Sequence, residues 1–394
     1  MKPFAIARLP RIEFGRGAIA KVPALVRRWG RRALVVTGAR SFAATSHWDA
    51  LQRDLAAQGV EWEICQVAGE PSPDLVDGTV GRLAEAGIDV VVGIGGGSAL
   101  DCAKAIAGLL RVQRSVMDYL EGVGPELPYE GPAAPFIACP TTAGTGSEAT
   151  KNAVLSTHGA LGFKKSFRDE RLVPEYAVVD PQLLASCPPA LIAANGMDAM
   201  TQLLESYVSV RANPVTEALC ESGLAAVRNG LLPWYREGAA AADGQDHMAY
   251  AALLSGITLA QTGLGSVHGL AAPLGAFFPI PHGVACGTLV AAATALNIRA
   301  LQAREPGNPG LSRYARAGEI LCGRTFPDGG AARAALVDQL WRWTDEMGLA
   351  RLGEYGMGQT DVDRVVASSR GSSMKTNPIV LTDAEIAGLV RERL

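Results

Sequence analysis

The segment GMDAMTQLLESYVS, residues 196–209, carries a carboxylate and a carboxamide, Asp198 and Gln202, four positions apart. In a helix that spacing stacks them on one face, which is how a helix offers two donors to a single cation. Aspartate is an ordinary metal ligand, whereas a carboxamide is a neutral, weak one where imidazole would be expected. Of five histidines in the chain, His268 and His282 lie together in GLGSVHGLAAPLGAFFPIPHGVACG, each followed by glycine in an apolar setting. A buried histidine is often just a core residue bonded to a carbonyl. Two of them, taken with an Asp-bearing helix, point toward metal ligation or catalysis. His47, His158 and His247 sit in polar contexts and read as surface residues.

A second constellation suits a nucleotide. In GIGGGSALDCAKA, 93–105, an apolar run delivers the chain to Gly95, Gly96 and Gly97, and Ser98 opens a helix. Glycines let a backbone approach a pyrophosphate, and a helix N-terminus supplies free N–H groups and a positive dipole. The pattern is not GxGxxG, so a plain strand-to-helix turn stays open, with Asp101 as an acid favoured by the dipole. In CPTTAGTGSEAT, 139–150, Thr141, Thr142, Thr145 and Ser147 make a donor-rich turn after the next strand. Two such turns at successive strand ends describe a dinucleotide cleft better than either does alone. The exit of the first strand, VVTGARS, has Gly38 where an NAD-preferring enzyme commonly carries an acid, with Arg40 two residues on. That combination would tolerate a 2′-phosphate, and so NADP; a solvated arginine in a turn is the other reading.

These groups need elements to position them. RALVVTG, EWEICQV, DVVVGIG and PFIACPTT read as buried strands, alternating with amphipathic helices around 48–58, 73–87 and 99–110. Such alternation implies a doubly wound, mostly parallel sheet of Rossmann-like type. KNAVLS (151–156) and EYAVVDP (175–181) read as later strands that cap the domain. Beyond the proline pair at 188–189, helical periodicity runs almost throughout, with no convincing strand. The expected organisation is therefore an α/β dinucleotide-binding domain over 1–186 and an all-helical metal- and substrate-binding domain over 187–394.

Composition bounds the function classes. The chain has 394 residues, 48% apolar and 19% charged, with a formal charge of −3, which suits a soluble globular protein and disfavours nucleic acid as a partner. Arg8 and Arg11 interrupt the N-terminal stretch, so it does not read as a signal peptide. The apolar run from Tyr250 to Ile280 contains Gln261, His268 and Pro273, and reads as core helices broken by a loop, not as a membrane span. Seven scattered cysteines without a CxxC pair fit a reducing cytoplasm.

In order along the chain, FGRGAIAKV, GGGSALDCAKA, PTTAGTGSEAT, VVDPQLLASCPP, GMDAMTQLLESYVS, VHGLAAPLGAFFPIPHG and TNPIVLTDAEI resemble the iron-containing (group III) alcohol dehydrogenase family. The resemblance, nearly end to end, implies the dehydroquinate synthase-like fold and NAD(P)-linked oxidation of an alcohol or reduction of an aldehyde. It further implies one divalent metal, Fe²⁺ or Zn²⁺, in an interdomain cleft, and a homodimer is the expected assembly. The family's metal positions fall on Asp198, Gln202, His268 and His282, with Asp198, His268 and His282 the catalytic candidates. Its cofactor positions fall on Gly95, Gly96, Gly97, Ser98, Thr141, Thr142, Thr145 and Ser147, with Asp101 close by and Lys164 or Lys165 at the ribose. Two departures stand out. Gln202 replaces the usual second histidine, and Ala272 stands where the family commonly has a proton-shuttling histidine. Phe277, Phe278 and Phe163 suggest an apolar substrate pocket, while the basic residues of 164–171 could bind an acidic substrate. A metal-independent oxo-acid reductase of maleylacetate reductase type, and a dehydroquinate synthase-type lyase, are the alternatives on this fold.

Overall fold

Six strands assemble into one parallel sheet whose central members are buried on both faces. The six are β1 (Arg11–Phe14), β2 (Arg32–Gly38), β3 (Glu61–Val67), β4 (Val90–Gly95), β5 (Phe136–Pro140) and, after two short strands, β8 (Tyr176–Val179). In the computed structural model, which describes residues 3–157 and 162–394, their order is β1-β8-β5-β4-β2-β3, and every pairing is parallel. The remaining pair, β6 (Asn152–Thr157) and β7 (Phe163–Arg168), forms a separate antiparallel ladder.

Along β2, Leu34 and Val36 join a core with Leu100, Ile106 and Phe136 on one face of the sheet. Ala33 and Val35 join Val92, Ile94 and Val178 on the other. Both faces are buried, which is why the central strands read as continuous apolar runs. The chain crosses from β3 at the sheet edge past β2 to β4, so the strand order reverses between β2 and β4. Open parallel sheets bind ligands at the carboxyl ends of strands flanking such a reversal. The ends in question are Gly38 and Gly95–Gly97.

Several sequence expectations change here. The 151–156 strand does not cap the main sheet but pairs with β7, and β8 lies inside the sheet between β5 and β1. Neither β1 nor β7 was anticipated. β1 is an edge strand of four mostly exposed residues, RIEF, and β7 is FKKSFR, so neither shows a clean buried run. The helix expected over 73–87 ends at Arg82.

Residues 187–394 form a compact unit distinct from the α/β unit of Ala7–Ser186. It contains long helices at Pro189–Val208, Pro214–Glu237, Ala242–Thr262, Ser266–Phe277 and His282–Arg304, among others, and no strand among the described residues. The apolar stretch through 250–280 is broken at Gly263, whose φ of +67° suits only glycine and whose Cβ would lie 2.6 Å from Thr376 Oγ1. The His282–Arg304 helix is long and apolar enough to span a membrane, yet 83% of its most apolar window is buried within the protein, as a core helix would be.

Candidate active site

Two helices meet at the histidines. Gly283 and Gly287 flank Cys286 on the helix that begins at His282. A Cβ on Gly283 would fall 2.5 Å from the Ala194 carbonyl oxygen, and one on Gly287 2.9 Å from Met197 Cβ. Glycine at these positions lets the helix press against Pro189–Val208 at the level of Asp198. His268, in the first turn of the Ser266–Phe277 helix, enters from a third direction. His268 Nε2 lies 3.1 Å and His282 Nε2 3.7 Å from Asp198 Oδ1. The other carboxylate oxygen, Asp198 Oδ2, is buried with no hydrogen-bond partner among the described residues. A buried anionic oxygen left so is costly unless a cation completes it. Asp198, His268 and His282 therefore fit a divalent ion by donor type and by spacing.

The surroundings fix these donors. Glu205, seven positions beyond Asp198 on the same helix, accepts the Nδ1–H of His268 at 2.7 Å. It also accepts the backbone N–H groups of Gly265 at 2.9 Å and Val267 at 2.7 Å, so it caps the helix that carries His268. With Nδ1 held by Glu205, Nε2 is the nitrogen turned toward Asp198 and the site. Asn377 Oδ1 accepts from Ser266 N at 3.1 Å and holds the same helix start from the C-terminal segment. Burial by itself would lower the His268 pKa, but Cys286, Asp198 and Glu205 together hold it well above the usual histidine range. Burial would likewise raise Asp198, and His282 and His268 outweigh it, holding the carboxyl below its ordinary value.

Gln202, expected as a ligand, lies one helical turn beyond Asp198 on the Pro189–Val208 helix. It is buried, and its carboxamide oxygen accepts from Ser255 Oγ at 2.7 Å. The residue missed in the sequence is Cys286. Its Sγ lies 3.6 Å from His268 Nε2 and 3.8 Å from His282 Nε2. Burial pushes this thiol up to about 12. The signal available was the i, i+4 spacing of His282 and Cys286, which places both on one helix face.

In the α/β unit the two glycine- and threonine-rich turns pack on each other. Gly95 leaves no room for a side chain, since its Cβ would sit 2.6 Å from Ala99 Cβ and 3.3 Å from Gly38 N. A Cβ on Gly97 would meet Thr145 Cγ2 at 2.7 Å, and one on Gly96 would meet Thr142 Oγ1 at 3.3 Å. Gly96, Gly97, Ser98, Thr142 and Thr145 remain partly exposed, while Thr141 is buried and donates its N–H to Gly95 O. The helix after Gly96 has no side-chain cap, which leaves its first N–H groups suited to an anion.

Asp101 and Ser147 face each other: Ser147 Oγ donates to Asp101 Oδ1, and Asp101 Oδ2 accepts from Val154 N. They brace the turns. Lys104, also missed in the sequence, is fully buried and donates to Ser147 O, Ser147 Oγ, Thr150 Oγ1 and Asn152 O at 2.8–3.0 Å. Burial lowers Lys104 to about 8 and raises the neighbouring Glu148 to about 7.

Beyond β2, a Cβ on Gly38 would meet no atom within 4 Å, and Arg40 is exposed. Three of the four basic residues of 164–171 are already paired, Lys164 with Glu70, Arg168 with Glu121 and Arg171 with Asp169, which weakens their reading as an acid-substrate site; the fourth, Lys165, is exposed. Phe277 and Phe278 lie under the guanidinium of Arg364, at 4.4 and 5.6 Å, so that region is not purely apolar. Ala272 is exposed, His47 and His247 are partly exposed, and His158 lies outside the described residues.

The chain is similar to known proteins along its whole length. The family model for iron-containing alcohol dehydrogenase matches residues 10–181, and that for the C-terminal part of the Fe-containing alcohol dehydrogenase family matches 192–394. The NAD-dependent methanol dehydrogenase of Bacillus methanolicus is 30% identical over 391 residues, 98% of each chain. Alcohol dehydrogenase 4 of Schizosaccharomyces pombe is 31% identical over 384 residues, 97% of this chain and 87% of that one. A crystal structure of 1,3-propanediol oxidoreductase superposes with a TM-score of 0.89 at 28% identity, covering 100% of both chains. With both halves matched, the chain belongs to the iron-containing alcohol dehydrogenase family, a family of oxidoreductases acting on CH–OH groups.

Proposed function

We propose that this protein is a metal-dependent, NAD(P)-linked alcohol dehydrogenase or aldehyde reductase acting on a small or medium substrate. Asp198, His268 and His282 would hold the divalent cation. The observation that carries this reading is the buried, unpartnered Asp198 Oδ2 beside two imidazole nitrogens at 3.1 and 3.7 Å from its sister oxygen. Bound there, a divalent cation supplies Lewis-acid polarisation of the alcohol or carbonyl oxygen. Asp198 contributes negative charge, and Glu205 keeps the His268 Nδ1 proton away from the site. The uncapped helix after Gly96, with Gly97 packed on Thr145, supports pyrophosphate binding at the β4 exit. Open space and the lack of an acid at Gly38 support tolerance of NADP beside NAD. Leu9, Ile12 and Phe14, exposed along β1 and its approach, support a homodimer, and seven free cysteines suit a reducing cytoplasm.

The test is metal analysis of gently purified protein, with an alcohol and aldehyde panel assayed with NAD and NADP before and after chelation. About one metal per chain and chelator-sensitive nicotinamide turnover are expected. Full turnover in metal-free protein would sink the proposal. That outcome would favour a metal-independent oxo-acid reductase, for which one observation speaks: His268 is ion-paired to both Asp198 and Glu205, so a protonated imidazole could polarise a carbonyl itself.

A further inference from the structure

We infer that Cys286, not Gln202, supplies the fourth protein ligand of the cation site, as a thiolate. This rests on the metal-binding reading above and deepens it. One donor atom each from Asp198, His268, His282 and Cys286 all lie within 4.8 Å of one another. A tetrahedral cation with bonds of about 2.05 Å to nitrogen, 2.1 Å to oxygen and 2.3 Å to sulfur holds such donors roughly 3.4–3.6 Å apart. The separations that bear on this are 3.1 and 3.7 Å from Asp198 Oδ1 to the two imidazole nitrogens, and 3.6 and 3.8 Å from those nitrogens to Cys286 Sγ. These four straddle that range, and the remaining two separations stay within 4.8 Å, so the donors are already gathered around one point.

The placement of the thiol is built into the packing. Gly283 and Gly287 admit the backbone and Cβ of the Pro189–Val208 helix on either side of Cys286, and Cys286 is completely buried there. Gln202 has one atom able to bind a metal, its carboxamide oxygen, and that oxygen is engaged by Ser255. A thiolate is also the stronger donor, anionic where the carboxamide is neutral.

On binding, the Cys286 S–H bond breaks, the sulfur electron pair forms the S–metal bond and the proton leaves to solvent. One carboxylate and one thiolate then balance the two positive charges of the cation. Thiolate ligation biases the site toward zinc over ferrous iron, in the sense that the affinity order of divalent metals also runs. Zinc sites can expand to five ligands, so four protein donors leave room for a substrate oxygen.

Cobalt(II) reports sulfur ligation directly. Wild-type protein loaded with Co²⁺ is expected to bind about one ion per chain and to show an intense near-ultraviolet thiolate-to-cobalt charge-transfer band. Cys286→Ser should abolish the band and weaken Co²⁺ binding at least about tenfold, the low end of what losing even an outer-sphere partner costs. Gln202→Ala should keep the band. Stoichiometric cobalt without the band in wild-type protein, or a band that survives Cys286→Ser, overturns the role of Cys286 and leaves the metal site standing. Failure of wild-type protein to bind cobalt at all overturns both readings.

Discussion

Replacing Glu205 by glutamine tests whether the carboxylate behind His268 is a metal-site component or only a helix cap. The carboxylate accepts from Gly265 N at 2.9 Å, Val267 N at 2.7 Å and His268 Nδ1 at 2.7 Å, all buried, with no N–H donor of its own. A carboxamide has the same shape but must turn an NH₂ toward at least one of these donors. That leaves a buried N–H unpaired, at about 1–3 kcal/mol, and removes charge assistance from the rest, each such bond being worth about 1.5–3 kcal/mol. A net destabilisation of about 3 kcal/mol is expected, or a fall of about 6–12 °C in the melting temperature of a unit this size. The loss of the anionic partner also makes His268 a weaker ligand, so Zn²⁺ affinity should drop about 10–100-fold. Thermal unfolding with chelator present isolates the first effect, and competition against a chromophoric zinc chelator isolates the second. A variant that loses stability but binds zinc as wild type does would show Glu205 to be a helix cap alone. One that loses neither would refute the geometry.

Two further perturbations probe the α/β unit. The Glu148 carboxyl, raised by burial from 4.5 to about 7, keeps its proton in the folded chain after the unfolded chain has released its own. Stability should therefore fall by about 3 kcal/mol as pH rises through that window, and Glu148→Gln should flatten the decline; equal slopes in pH-dependent calorimetry would contradict this. Gly97→Ala would drive a methyl to 2.7 Å from Thr145 Cγ2 and force the two turns apart. Overpacking of about 1–3 kcal/mol at that point should raise the cofactor KM about tenfold or more while metal content stays constant, and an unchanged KM would remove these turns from the cofactor site.

Much of the α/β unit was legible because its signals are local. Runs such as ALVV in β2 and VVVGIG in β4 are apolar and buried throughout since both sheet faces are covered, and the glycines and threonines sit in sequence where the strands end. The short strands β1 and β7 escaped notice because charged residues interrupt them, and β1 depends besides on a partner far away in sequence, β8. Lys104 was likewise hidden in a helix motif: its role depends on the 147–152 segment folding over it.

The histidine site divides in the same way. Sequence alone determined that Asp198, His268 and His282 were the residues to watch, because residue type and helical spacing are properties of a single segment. It could also place Asp198 with Gln202, and His282 with Cys286, on common helix faces. Which of the two pairs supplies the fourth donor is a question of how two helices approach each other. Only the tertiary structure bears on it: Gly283 and Gly287 let the helices close beside Cys286, and Ser255, more than fifty residues from Gln202, donates to the carboxamide oxygen, which is the basis for proposing Cys286.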